Sequence, residues 1–250
     1  MIKQQIPNAI TCGNVLCGCL GIVLASKGEL VTAVYCMALG MVFDFADGLA
    51  ARLLKAYSEL GKQLDSLADM VTFGVLPGFI LYQLLLPNNT RVLAYLAFIY
   101  PVFAAIRLAK FNIDTRQTDH FIGLPTPAAA LFAGSLPLIL VQNPELGVFI
   151  KHPITLIVIT MVLSLMLIAN IRLFSLKFKS FGWQTNQLRY VFLLLSLSVF
   201  VIFKFLAIPI ILFAISRLDF SWLENLGLIL LVPTCRTTES GVCSIKCGMI

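Results

Sequence analysis

Four aspartates in one short window carry the reactive chemistry of this chain. Asp44 and Asp47 are three residues apart, and Asp65 and Asp69 are four apart, so on helices each pair occupies a single face. Both pairs lie in apolar stretches, where a carboxylate is costly and needs a reason. Four like charges at one depth repel strongly unless several are protonated or they share cations. Carboxylate oxygens are hard ligands suited to Mg²⁺ or Mn²⁺, and no Cys or His stands close enough to favour zinc. Two such ions about 4 Å apart form the usual clamp for phosphoryl transfer. Gly48 directly after Asp47 leaves room where a ligand would approach, and Ala51 is small on the same face. Close helix–helix packing would explain both residues equally well. Arg52 follows, with a fork suited to phosphate oxygens.

The elements that must position these residues are membrane helices. Of 250 residues, 59% are hydrophobic and 12% charged, and the mean hydropathy is +0.95. A soluble domain carries roughly 25% charged residues. Soluble, disordered, disulfide-scaffold and nucleic-acid-binding classes are therefore excluded, and the net charge of +6 suits loops that face anionic lipid. A spanning helix needs about 20 apolar residues. That rule places spans near 7–26, 30–52, 63–86, 91–111, 126–142 and 154–174, with a longer apolar stretch at 190–218 holding one tilted helix or a hairpin of two. The expected fold is all-α: a polytopic bundle with a six-helix core and one or two C-terminal spans over 1–218, then a tail at 219–250 of no assigned role. The first span is read as a retained helix, since no small-residue cleavage site follows it.

Numbering the connections alternately puts Lys3, Arg52, Lys55, Lys62, Arg107, Lys110, Arg116, Arg172, Lys177, Lys179 and Arg189 on one side. Lys27, Arg91 and Lys151 fall on the other. Eleven against three makes the crowded side, and the N-terminus, cytoplasmic. Ser175 to Tyr190 interleaves aromatic and basic residues and is expected along the headgroups. The second and third spans, joined by about ten residues, run antiparallel and bring both aspartate pairs to one depth at the cytoplasmic end. Cys12, Cys17, Cys19 and Cys36 read as small hydrophobes, and the tail's Cys235, Cys243 and Cys247 match no zinc spacing. His120 and His152 belong to no recognisable constellation.

Asp44, Asp47, Gly48, Ala51 and Arg52, followed by Gly61, Asp65 and Asp69, fit the pattern D-x-x-D-G-x-x-A-R-x8-G-x3-D-x3-D at every position. In this the chain resembles the CDP-alcohol phosphatidyltransferase family. The resemblance implies that an alcohol hydroxyl attacks the phosphorus bearing the diacylglycerol of a CDP-lipid, and that CMP leaves. It implies that Asp44, Asp47 and Asp65 ligate two divalent cations, Mg²⁺ or Mn²⁺, and that Asp69 both contacts metal and acts as general base. It also implies that Gly48, Ala51, Arg52 and Gly61 line the CDP site with Asp47, that Gly61 permits a close turn into the third helix, and that the protein is a homodimer.

Three further stretches resemble the phosphatidylserine synthase branch of that family: Asp65 to Pro77, Arg107 to Asn112, and Gly123 to Ala128. Ile6 to Thr11 resembles it too, which implies that Asn8 and Thr11 help enclose the nucleotide of CDP-diacylglycerol. In that branch the acceptor is L-serine. Arg107 and Lys110, at the depth of the aspartates, are then candidates for its carboxylate, with Asn112 beside them. Positive-inside anchoring is the plain alternative for Arg107 and Lys110, and a helix C-cap for Asn112. Pro125 and Pro127 shape the start of the fifth helix.

Two rivals are distinguishable. Glycerol 3-phosphate or an inositol phosphate as acceptor brings a second phosphate and wants a denser basic pocket. An ion-coupled transporter would place its acids near the midplane within repeated, broken helices, whereas these acids cluster at one interface.

Overall fold

The computed structural model describes residues 2–88, 91–113, 121–169, 172–173 and 204–217. The headgroup segment 175–190, the start of the last apolar stretch, the tail, His120, and the charges Arg116, Lys177, Lys179 and Arg189 lie outside them. Seven helices carry the described fold: α1 (Ile2–Ser26), α2 (Leu30–Leu53), α3 (Glu59–Leu85), α4 (Val92–Ile113), α5 (Thr126–Gln142), α6 (Pro153–Ile168) and α7 (Ala207–Arg217). The first four are long and apolar enough to cross a membrane, and α5 qualifies together with Pro144–Ile150, which bends away from it by 118°. This is an all-α integral membrane protein.

Three boundaries depart from the hydropathy reading, the first being that of α1, which begins at Ile2 rather than near 7. The third helix begins at Glu59 rather than near 63, because Ser58 caps it in a polar stretch that hydropathy does not register. The sixth ends at Ile168 instead of 174, and its 16 residues rise only about 24 Å at 1.5 Å each, short of the roughly 30 Å hydrocarbon layer. The cause lies in an incoming segment. Leu124 donates its N–H to Met166 O at 3.0 Å, taking one of the carbonyls a helix end leaves unpaired. Gly123 makes that approach possible: its φ is +79°, and a Cβ there would lie 2.8 Å from Leu167 O. Beyond the helix, Arg172–Leu173 pairs antiparallel with Phe121–Ile122, the one short strand pair among the described residues. Within 190–218, the described part turns at Lys204 (φ 49°) before α7 begins.

Small residues let the first three helices approach closely, the usual device where lipid removes the hydrophobic drive for association. A Cβ on Gly18 of α1 would collide with the Thr72 hydroxyl, and one on Gly40 of α2 would lie 2.7 Å from Thr72 Cγ2. Thr72 sits in Met70–Val75, a π-helical turn inside α3. Wide turns of this kind are frequent at functional sites. Here its polar groups meet other helices: the Thr72 hydroxyl donates to Asn14 O at 3.0 Å, and Tyr100 of α4 donates its hydroxyl to Phe73 O at 3.1 Å. Met37, Phe73, Leu76, Ile80, Leu81 and Tyr100 are fully buried at the centre. Leu16, Phe45 and Val92 face outward, as side chains in contact with lipid do.

Candidate active site

The site begins with a helix ending. At the end of α2, Lys55 adopts φ 49°, Ala56 donates its N–H to Ala51 O at 3.0 Å, and Lys55 donates to Arg52 O at 3.2 Å. These are the two bonds that close a helix on a left-handed residue. Three residues later the Ser58 side chain caps α3 by accepting from Gly61 N–H at 3.0 Å. The connection is therefore five residues, 54–58, not about ten, and it folds α3 directly back along α2.

That reversal brings the aspartates together. Asp44, Asp47 and Asp65 each present an oxygen within 4.8 Å of the others. Asp69 is not part of this trio but stands in side-chain contact with Asp44, which also touches Asp65. Asp47 Oδ2 and Asp69 Oδ1 are buried and have no hydrogen-bond partner. Buried carboxylate oxygens left without donors, in a cluster of like charge, fit a hard divalent cation. The donor set is oxygen only, the kind of ligand that hard divalent cations prefer.

A cavity of about 310 Å³ opens against this cluster. Helix α1 contributes Pro7, Asn8 and Thr11; α2 contributes Asp44, Asp47, Gly48, Ala51 and Arg52. The turn adds Ala56, Tyr57 and Ser58, and α3 adds Gly61, Lys62 and Asp65. All seven residues expected at the CDP site thus line one space. A Cβ on Gly48 would meet nothing within 4 Å, so no neighbouring helix packs there and the glycine widens the cavity. Gly61 needs correcting. It lies in the first turn of α3 rather than in the connection, and a Cβ there would stand 3.0 Å from Ser58 Oγ and 3.1 Å from Asn8 Oδ1. Its absent side chain lets α1 approach the cap of α3.

The far side of the cluster is built from α4 and α5. Arg107 lies within electrostatic reach of Asp69 and donates from Nη1 to Thr126 Oγ1 at 3.1 Å. Its Nε is buried without a partner. Lys110 is exposed. Asn112 is engaged elsewhere: its Nδ2 donates to Ser66 Oγ at 2.9 Å, and its backbone oxygen accepts from Lys62 Nζ at 3.4 Å. It fastens the end of α4 to α3. Of the three candidates for serine, only Arg107 reaches the carboxylates.

Sequence reasoning overlooked Thr126, Lys62 and Tyr57. Lys62 precedes Asp65 by three residues, and that spacing already puts it on the aspartate face. Thr126 stands between two prolines read only for helix initiation. Tyr57 lies in the turn and carries no periodic signal.

Comparison with known proteins adds a second line. The family model for CDP-alcohol phosphatidyltransferase matches residues 4–201. The CDP-diacylglycerol–serine O-phosphatidyltransferase of Bacillus subtilis (strain 168) is 38% identical over 169 residues, covering 68% of this chain and 89% of that protein. The enzyme of the same name from Helicobacter pylori (strain J99) is 39% identical over 127 residues, 50% of this chain and 54% of its own length. That of Methanocaldococcus jannaschii is 39% identical over 127 residues, 50% and 57% respectively.

Proposed function

The chain belongs to the CDP-alcohol phosphatidyltransferase family, and we propose that it transfers the phosphatidyl group of CDP-diacylglycerol to the hydroxyl of L-serine, giving phosphatidylserine and CMP. The observation that carries this reading is the convergence of three aspartates, from two helix ends, on a cavity lined by every residue expected at the CDP site, with Asp69 against Asp44 behind them. The choice of serine is supported by the names of the relatives and by Arg107, a half-buried guanidinium facing Asp69 and suited to a carboxylate.

Asp44, Asp47 and Asp65, with Asp69 on their flank, would hold two divalent cations, Mg²⁺ or Mn²⁺. Bound there, such ions supply charge neutralisation for a diphosphate and for the phosphate that leaves. The protein's own groups do the rest. Arg52 and Lys62 face the cavity and bind the phosphate oxygens of the nucleotide half, while Gly48 and Ala51 give it room. Arg107 orients serine by its carboxylate. Asp69, between Arg107 and Asp44, accepts the proton of the serine hydroxyl as that oxygen forms its bond to the lipid-bearing phosphorus. The bond from that phosphorus to the bridging oxygen breaks, and CMP departs with the electron pair.

The charge asymmetry of the connections supports an orientation with this end of the bundle at the cytoplasmic face of the inner membrane. There CDP-diacylglycerol arrives from the leaflet and serine from water.

The test is CMP release from CDP-diacylglycerol by purified protein in detergent. L-serine, glycerol 3-phosphate or no acceptor is supplied, with Mg²⁺ or Mn²⁺, and with chelator. Release that requires both serine and metal is the expected result. Release with glycerol 3-phosphate alone would discard serine and keep the family reaction, and no release with any acceptor would discard the reaction itself.

A further inference from the structure

One turn deeper than the carboxylates, the wall between α1, α2 and α3 holds an amide with nothing to bond. Asn14 is wholly buried, and neither Oδ1 nor Nδ2 has a hydrogen-bond partner. An unpaired buried amide in the apolar layer is expensive, and native structures rarely leave one unexplained. Its place is fixed on both sides. The Thr72 hydroxyl holds the Asn14 carbonyl at 3.0 Å, and a Cβ on Gly40 would come within 2.9 Å of Asn14 Oδ1. There is little room for the side chain to swing toward another partner.

Each helix that meets Asn14 carries a site residue one turn toward the cytoplasmic end. On α1, Thr11 precedes Asn14 by three residues and lines the cavity. On α2, Asp44 follows Gly40 by four. On α3, Asp69 precedes Thr72 by three, and its Oδ1 is buried and equally without a partner. One helical turn rises about 5.4 Å. The offsets of three and four residues rise about 4.5–6 Å at 1.5 Å each, comparable to two hydrogen bonds of about 2.8 Å in series, the separation a single water bridges between two polar groups.

We propose that Asn14 is a positioning residue of the carboxylate site, its amide donating through one bridging water to Asp69 and fixing the direction in which that carboxylate faces. The inference rests on the reading of Asp44, Asp47, Asp65 and Asp69 as a metal-and-base site. Groups that hold a ligating carboxylate from behind commonly govern metal affinity or activity about 10- to 100-fold. A neutral amide suits this position because it supplies a donor without altering the charge of a cluster that already holds four acids. The plain alternative makes Asn14 a helix-to-helix fastening with no bearing on the carboxylates.

The experiment compares Asn14→Leu with the unmodified protein in detergent, by Mn²⁺ binding followed by electron paramagnetic resonance without substrate, by thermal unfolding, and by steady-state kinetics. The expected result is Mn²⁺ affinity weakened about 10- to 100-fold, a lowered kcat with the serine KM little changed, and a melting temperature that does not fall. A lower melting temperature with Mn²⁺ affinity intact overturns the proposal in favour of the fastening role. Should Asn14→Leu not fold, Asn14→Ala and Asn14→Ser decide, because they open similar space and differ by one hydroxyl able to hold the water. Tighter Mn²⁺ binding by the serine variant is expected, and equal affinity overturns the proposal. If the unmodified protein binds no Mn²⁺ at all, the metal-site reading fails and Asn14 with it. If it binds and Asn14→Leu binds as well, only the role of Asn14 is lost.

Discussion

On one flank of the carboxylate cluster, α1, α2 and α3 enclose a cavity whose lining residues all lie between Pro7 and Asp65. On the other flank, Arg107 of α4 faces Asp69 and donates to Thr126 of α5. The first flank is local in sequence. A five-residue connection, a left-handed Lys55 and a Ser58 cap dictate how its two aspartate pairs meet. The second depends on helices that are neighbours only because the whole bundle has assembled, through contacts such as Tyr100 to the π-helical turn of α3. The local flank suits a nucleotide, a part shared by every reaction of a CDP-lipid. The assembled flank suits the acceptor, the part that distinguishes one reaction from another. Asp69 stands where they join.

If that division holds, a change at the junction blocks the step that joins the two halves and has the largest effect. Asp69→Asn keeps the shape of the side chain and removes its capacity to take a proton. Turnover should fall by about 10²- to 10⁴-fold, the usual contribution of a general base. Binding of CDP-diacylglycerol should largely survive, since Asp44, Asp47 and Asp65 remain within 4.8 Å of one another. Single-turnover CMP release together with equilibrium binding of the lipid measures both quantities. A near-normal rate would remove Asp69 as the base and leave the two flanks without a shared reacting group.

A pair of substitutions, one on each flank, should separate the substrates. Gly48→Leu places a side chain where a Cβ alone meets nothing within 4 Å, so it fills the cavity without disturbing a packed helix. It should raise the apparent KM for CDP-diacylglycerol by about 10-fold or more, with little effect on that for serine. Arg107→Ala should do the reverse. A hydrogen bond to a charged group contributes about 1.5–3 kcal/mol, which corresponds to roughly 10- to 100-fold in the KM for serine. Both constants are read from initial rates with each substrate varied in turn. If Arg107→Ala weakens both substrates equally, its bond to Thr126 is a structural tie between α4 and α5 and the comparison collapses.

The same division explains what the sequence disclosed. The aspartate pairs, Gly48, Ala51 and Arg52 were legible because spacings of three and four fix a helix face and a short connection fixes two faces against each other. Asn8 and Thr11 came from the resemblance, and the cavity contains them. The start of α3 and the position of Gly61 were misread because Ser58 and Glu59 are polar. Hydropathy marks the lipid-embedded part of a helix, not its capped end. The end of α6 was misread for the opposite reason: Ile171, Leu173 and Phe174 continue the apolar composition, which cannot tell a helix from a strand partner of Phe121–Ile122. Thr126 was invisible as a partner of Arg107 because 19 residues separate them and only the assembled bundle brings them together.

Lys110 gives the smallest expected effect and the sharpest check on the acceptor flank. It lies three residues after Arg107 on the same helix and carries the same charge, so the sequence offers both as candidates. The structure separates them: Arg107 is half-buried against Thr126 and Asp69, while Lys110 is exposed. A solvated ammonium gains little from a ligand it does not touch, and its field is screened within about 10 Å at 0.1 M salt. Lys110→Ala should therefore change the KM for serine by no more than about twofold, the scale of an exposed charge. Any residual change should shrink as salt is raised, whereas the loss at Arg107 should persist. A loss at Lys110 comparable to that at Arg107, and insensitive to salt, would mean that the acceptor is held at the rim of the bundle rather than between α4 and α5, and would move the serine site away from Asp69.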